Sequence, residues 1–445
     1  MKSLSILCLL FSAFLMKAND PIVYQTGPQP LAIHRIGNIA HVFCNGDDKD
    51  YDGMYEPNLG EKPALWITHD INTGNQLHVK TMEKGYFSLP FRSGFSSTKL
   101  FHPRGNRIEV YDLAMKSLLD SAIFILPDSK ATITAIHVIT EIVNGVETET
   151  LLAFSHKMSF TDKGSFSIYD IAKKSIVATI EVGINPQMIR SFRNLLGEME
   201  FVVLSEGTFG GGNSMLHRLL PTPSMNMPFS VTSFELGDTG NYVEIIDQLA
   251  LTLMNGSHEV FAINLATNQL LPGSFPVGTS GYDGPRELTI DPSTNQVFIS
   301  TYASDIRIGS LEDGTMLDSW STKGKAEGLA IINDHLWVCN AFKKGDYVYD
   351  SLITVFPLRN TSSTHDPMNT VSMVSMHDGV LTITRPNMYD QAEYVIINSL
   401  GEMIVKDTFT GTQTMRSCKD LPHGLYGISI VCGAKTEKYL IIHSD

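Results

Sequence analysis

Apolar and polar residues alternate in short runs along most of the chain, and no stretch carries the i, i+3, i+4, i+7 spacing of an amphipathic helix of ordinary length. One two-strand pattern recurs: an alternating apolar strand, a polar residue that is often Asp, a turn, and a second strand. It is read at LWITHDINTGNQLH, IEVYDLAMKSLL, FSIYDIAKKSIV, SVTSFELGDTGNYV, EVFAINLATNQLL, IRIGSLEDGTML and ITVFPL. The equivalent positions are Asp70, Asp112, Asp170, Glu235, Asn264, Ser310 and Pro357. Their mean spacing is about 48 residues, the length of a four-stranded blade, so seven copies predict an all-β, seven-bladed β-propeller. The spacing is uneven, as expected where some blades carry long loops, and the short interval before Asn264 is the weakest of the set.

PLAIHRIGNIAHVFCNG near the start and GLAIINDHLWVCNA near the end share an LAI strand and an apolar strand ending in Cys-Asn, and read as the inner two strands of the first and last blades. The last blade is short of a strand, because ITVFPL runs straight into the polar linker RNTSSTHDPMNT at 359–370. IVYQTG, residues 22–27, has nothing local to pair with and is expected to complete that blade through inward-facing Ile22 and Tyr24. After the linker, residues 371–445 show alternating apolar runs broken by Gly and Pro, the pattern of a small β-sandwich. The expected organisation is therefore a leader at 1–18, a propeller at 19–358, the linker, and the sandwich.

The leader is read from Lys2, an apolar run too short to span a bilayer, and Ala18 at the cleavage point. No later segment approaches transmembrane length, and a monomer is expected. Losing Lys2 and Lys17 takes the formal charge from −14 to −16, which argues against nucleic acid and anionic lipid as partners. Four cysteines remain beyond Cys8, with no zinc-like spacing; Cys418 and Cys432 are either bridged or, for Cys418, a buried free thiol. The glycines at 210–212 do not open a helix, so no nucleotide fingerprint is present, and neither haem nor zinc is expected.

Long insertions fall after the second strand of a blade, at NGDDKDYDGMYEPNLGEK, SHKMSFTDKG, SEGTFGGGNSMLHRLLPTPSMNMP and NAFKKGDYVYD. In an up-and-down blade these loops emerge on one face, together with loops after the fourth strand such as VGTSGYDGPRE. That face is the expected ligand site, with Tyr51, Tyr55, Glu206, Phe209, Tyr282, Arg286, Tyr347 and Tyr349 as candidate contacts. Asp48, Asp50, Asp52 and Glu56 alternate about a glycine and offer the hard oxygen ligands of calcium; the alternative is a solvated acidic loop.

No HExxH or GxSxG motif is present, so a catalytic site would have to be assembled from several blades, with His156, His217, Glu206 and Arg286 as first candidates. Recognition of a glycan, peptide or protein is favoured over a propeller enzyme of lyase, lactonase or glycan-hydrolase type, and over an envelope-assembly role. A pocket with converging titratable groups would favour the enzyme, and an aromatic-lined face would favour binding.

Three resemblances sharpen the picture. SLGEMIV with Gly401, and LPHGLY with Leu421, Pro422, Gly424 and Tyr426, resemble the C-terminal sorting domain of the bacterial type IX secretion system. That likeness implies export through the periplasm to the cell surface or medium, with the secretion machinery as a partner. The SEGTFGGGNS loop resembles one found in YVTN-like propellers of Bacteroidota, and the 48–56 loop resembles the short calcium loops of integrin-type propellers.

Overall fold

The computed structural model describes residues 21–49, 55–82, 92–143, 145–222, 229–271, 275–278 and 283–358, and most of 373–443 apart from short gaps. The chain forms two compact units, Met1–Asn360 and Thr361–Asp445.

In the first unit, seven antiparallel sheets follow one another at 30–81, 94–125, 132–184, 186–235, 240–276, 285–321 and, for the last, 324–357 with Ile22–Gln25. The first strands of neighbouring blades abut and form the inner ring, as between Thr132–Val143 and Pro186–Arg193. The core is spread through the seams. Phe43, Trp66, Leu100 and Tyr111 fill the space between blades 1 and 2, Phe166, Phe201 and Phe229 that between blades 3 and 4. This is why each strand alternates: one set of side chains packs on the preceding blade and the other on the following one.

The recurring polar residue acts as a turn cap. The side-chain oxygen Oδ1 accepts the backbone N–H three residues on at Asp70 (2.9 Å), Asp112 (2.6 Å), Asp170 (2.8 Å) and Asn264 (3.0 Å). The fourth residue after each cap is left-handed: Gly74, Lys116, Lys174 and Asn268 have φ of 71°, 53°, 53° and 55°. A short polar side chain can replace the missing backbone partner there, which is the physical content of the repeat.

One repeat was misplaced. Glu235 ends the fourth strand of blade 4, Phe229–Glu235, and the segment after it leads into blade 5. The third strand of blade 4 is Met215–Pro221, whose alternation is blurred by His217 and Arg218, so the apparent insertion from Ser205 is only a nine-residue loop, 206–214. Moving the mark to the end of that strand removes the short interval before Asn264.

The ring closes as the sequence implied: Ile22–Gln25 pairs antiparallel with Tyr349–Pro357, Ile22 opposite Val355 and Gln25 opposite Leu352. The expectation that Ile22 is buried fails, because it is 46% exposed; Tyr24 carries the packing, with its ring 5.5 Å from Trp337 and 6.5 Å from His69. Gly74 lies beneath that ring, and a Cβ there would stand 1.9 Å from Tyr24 Cζ.

The second unit is a sandwich of a three-stranded sheet, Met373–His377, Val380–Thr384 and Gln413–Ser417, and a four-stranded sheet. Its core holds Leu381, Ile383, Tyr394, Ile396, Ile428 and Ile430 in period-two alternation. Tyr426 is buried and its hydroxyl donates to the carbonyl of Pro422 at 2.7 Å, while Leu421 packs on the core; Gly401 lies outside the described residues. Cys418 is a buried free thiol.

Candidate functional site

Each blade starts its first strand on the face where second-to-third loops also emerge, so inner-strand starts and these loops surround the same mouth of the central channel. Arg286 and Glu327, from the first strands of blades 6 and 7, meet there as a forked pair, with Arg286 Nη2 3.1 Å and Nε 3.2 Å from Glu327 Oε1. Tyr302 donates its hydroxyl to the same carboxylate, and the Arg286 guanidinium lies 4.6 Å from the Tyr302 ring centre. Lys325 stands 4.3 Å over the Tyr347 ring and donates to the Tyr302 carbonyl at 3.1 Å.

Across the mouth, Glu206 accepts from the amides of Asn185 and Gln187, the latter at 2.5 Å. Burial raises its carboxyl above the ordinary carboxylate range against the opposing pull of Arg92 and Lys157. Lys157 donates to Asn185 Oδ1 at 2.6 Å and sits 3.4 Å over the Phe160 ring. Burial, with the Arg92 charge, lowers its ammonium to about 8. Arg92, Gln187 and Glu206 line both a mouth cavity of about 260 Å³ and a cleft of about 800 Å³ that runs over blades 2 to 4 past Arg104, Arg107 and Phe160.

Deeper in the channel, Arg190 donates to the Tyr242 hydroxyl (2.9 Å) and to Glu244 (3.2 Å), and His137 shares a 2.7 Å hydrogen bond with Ser191. Glu287 accepts from the Leu329 amide at 3.2 Å, and its enclosure in the ring pushes its carboxyl up to about 8, with Glu327 adding to the rise. Arg190, Tyr242, His137, Glu287 and His34 line a cavity of about 250 Å³.

Of the expected contacts, Glu206, Phe209 and Arg286 converge on the mouth, Phe209 being 81% exposed at the tip of its loop. Tyr347 joins them through Lys325. Tyr349 is a packing residue: its hydroxyl donates to the Asp48 carbonyl at 3.3 Å and its ring lies 5.6 Å from Phe342. Tyr55 is half-buried in the 45–64 loop; Tyr51 and Tyr282 lie outside the described residues.

His217 is structural, its Nε2 accepting from the Gly183 amide at 2.8 Å and its Nδ1 paired with Ser233 at 2.9 Å. Burial lowers it to about 4, so it is neutral at pH 7. His156 packs on Phe154 and does not line the mouth. Asp50 and Asp52 are outside the described residues. The base of their loop is tied by Glu61, whose carboxylate accepts from the amides of Lys49 (2.9 Å) and Glu56 (2.6 Å). Among the described residues, no three His, Cys, Asp or Glu are grouped to hold a metal, and no helix is long and apolar enough to cross a membrane.

Sequence reasoning missed Arg92, Lys157, Gln187, Tyr302 and Glu327. The signal for Glu327 was present: GKAE directly precedes the LAI strand already assigned to the inner ring, where polar residues have only the channel to face.

No protein-family model matches the sequence, and no curated protein matches it. Solved structures do. The Dos1 propeller is similar at a TM-score of 0.55 and 11% identity, covering 76% of this chain and 95% of that one. U3-55K gives 0.53 at 12% identity, covering 76% and 98%. BBS1N, solved in complex with ARL6DN, gives 0.52 at 12% identity, covering 78% and 98%. At these identities the likeness defines a class by fold alone, and this chain is a β-propeller protein.

Proposed function

We propose that the chain is an exported recognition propeller that binds an extracellular ligand at the channel mouth and the adjoining cleft. The observation that carries this reading is the junction at Arg92, Gln187 and Glu206, where the two cavities meet beneath exposed Phe209 and Phe160. The charged groups at the mouth are largely engaged with one another, as in Arg286 with Glu327, which suits a preorganised binding surface. Screening the intact protein against glycans, peptides and secreted proteins tests it: binding that survives Phe209→Ser and Arg286→Met together would refute the location.

Export is proposed through the type IX route, with the sandwich as the sorting signal and a surface or secreted destination. The LPHGLY segment supports it, since Leu421, Pro422 and Tyr426 each have a structural task in that domain. Deleting 371–445 should leave the propeller in the periplasm; normal surface levels of the truncated chain would sink the sorting role. A YVTN-like affinity and calcium in the 48–56 loop belong to the same proposal.

A second reading, a propeller enzyme, is favoured by one observation: Glu206 and Lys157 stand in the same cleft with their acidities shifted in opposite directions. Release of reducing or unsaturated ends from a polysaccharide, lost in Glu206→Gln, would establish it.

A further inference from the structure

The cleft over blades 2 to 4 and the mouth cavity it joins at Arg92, Gln187 and Glu206 bring together three kinds of group that one ligand would have to satisfy. The first is cationic. Arg92, Arg104, Arg107 and Lys157 line the cleft, Glu206 is the one acidic residue among its described lining, and Arg104 also pairs with Glu109 at 2.8 Å. This positive strip stands on a protein of formal charge −14, so it is a local feature and not the general field.

The second is a set of fixed acceptors. Gln187 is 5% exposed and turns its amide nitrogen to Glu206, which leaves its buried Oε1 without a hydrogen-bond partner in the cleft wall. Asn241 likewise spends its amide nitrogen on the Arg286 carbonyl at 2.6 Å, and its Oδ1 has no partner. Both amides are oriented by what their nitrogens donate to, so the vacant oxygens call for donors.

The third is aromatic. Phe160 is 71% exposed, with the Lys157 ammonium over its ring, and Phe209 is 81% exposed beside the mouth. Such single exposed rings offer flat contact area without an apolar pocket around them.

We propose that this cleft, with the mouth cavity it joins, binds an acidic polysaccharide of the uronic-acid type. Sugar carboxylates pair with Arg92, Arg107 and Lys157, ring hydroxyls donate to Gln187 and Asn241, and the C–H faces of the sugars lie on Phe160 and Phe209. Guanidinium forks suit carboxylates, and the cleft of about 800 Å³ lies within the range of small-ligand sites. This inference rests on the reading of the face as a ligand site. An acidic peptide is the competitor, but its side chains would ask for enclosed pockets that two exposed rings do not provide.

The test is calorimetric titration of the full chain with three probes: a galacturonic acid hexamer, its carboxyl-reduced counterpart, and hexaglutamate. The acidic hexamer should bind, with affinity falling at least tenfold on carboxyl reduction, in Lys157→Met, and in Phe209→Ser. Binding should also weaken with added salt. Should Lys157→Met fail to fold by circular dichroism, Arg107→Gln, at a half-exposed position, reads the same charge. Absence of binding by the acidic hexamer overturns the proposal. So does equal binding of the reduced hexamer, or tighter binding of hexaglutamate; if either is lost in Phe209→Ser, the ligand site stands and only the acidic-sugar assignment falls. If binding of whatever probe is indifferent to every cleft variant, the site itself is refuted.

Discussion

Removing the seam strand is the most direct perturbation of the propeller, and its cost is set by few contacts. Deleting residues 19–25 takes away a ladder over four residue pairs and the Gln25 side-chain bond to the Ser351 carbonyl at 3.0 Å. At about 1 kcal/mol net per hydrogen bond, the ladder contributes roughly 2–4 kcal/mol, part of it offset by the entropy returned to the freed segment. Tyr24, packed on Trp337, adds about 1.5–3 kcal/mol, so the deletion should cost about 3–5 kcal/mol in all. Tyr24→Ala alone should cost about 2–3 kcal/mol, whereas Ile22→Ala, at a 46%-exposed side chain, should cost under about 0.5 kcal/mol. Tryptophan fluorescence in urea isolates the relevant unit, because the chain's three tryptophans, Trp66, Trp320 and Trp337, all lie in the propeller. An unchanged midpoint for both the deletion and Tyr24→Ala, or an Ile22→Ala cost equal to that of Tyr24→Ala, would refute this account of the seam.

Three further outcomes are expected. Glu287, whose carboxyl is raised from 4.5 to about 8, favours the folded state fully below pH 4.5 and loses that contribution as pH rises through about 8. Glu287→Gln should therefore gain roughly 1–3 kcal/mol relative to the unmodified chain at pH 8 and nothing at pH 4; parallel stability curves across that range would refute the shift. Lys174→Gly relieves a left-handed non-glycine residue (φ 53°) and should raise stability by about 0.5–1 kcal/mol in the same urea assay, with any loss counting against the strain. Calcium at a hundredfold excess over its Kd should stabilise the propeller by about 2.7 kcal/mol, an increment absent in Asp50→Ala; identical melting in calcium and chelator would reduce the 48–56 loop to a solvated acidic one.

What could be read in advance was what repeats. Asp70, Asp112 and Asp170 announce their turns because each supplies an acceptor at the same point of the same hairpin, and IVYQTG was legible as the seam because a strand without a neighbour needs a partner. Glu235 misled because a polar residue followed by Gly-Asp-Thr-Gly also describes a passage between blades. The site was harder. Arg92, Lys157, Gln187 and Glu327 come from four different blades and each is one residue in an otherwise ordinary strand or loop. Only closure of the ring makes them neighbours, so no local spacing records their meeting. Phe209 and Arg286 were found because they sit in or beside long loops, which is where chain length exceeds what the hairpins need.

The capped turns have a consequence for what the scaffold will tolerate. Connections 71–75, 113–116, 171–174 and 265–268 are four or five residues long and hold the strand pairs in register from one side of the disc. On the other side, connections range up to the twenty residues of 45–64, and their length does not slide the strands they join. A foreign peptide grafted at Gly211 would interrupt only bonds within or at the edge of the 206–214 loop, such as the Gly211 amide to the Thr208 carbonyl at 2.7 Å and the Gly210 amide to Asp238 at 3.1 Å, and would be displayed beside the channel mouth. The same graft at 171–174 would pull Asp170 off the Lys173 amide and unfasten the edge of a blade. The disc thus has a side that accepts new cargo and a side that refuses it.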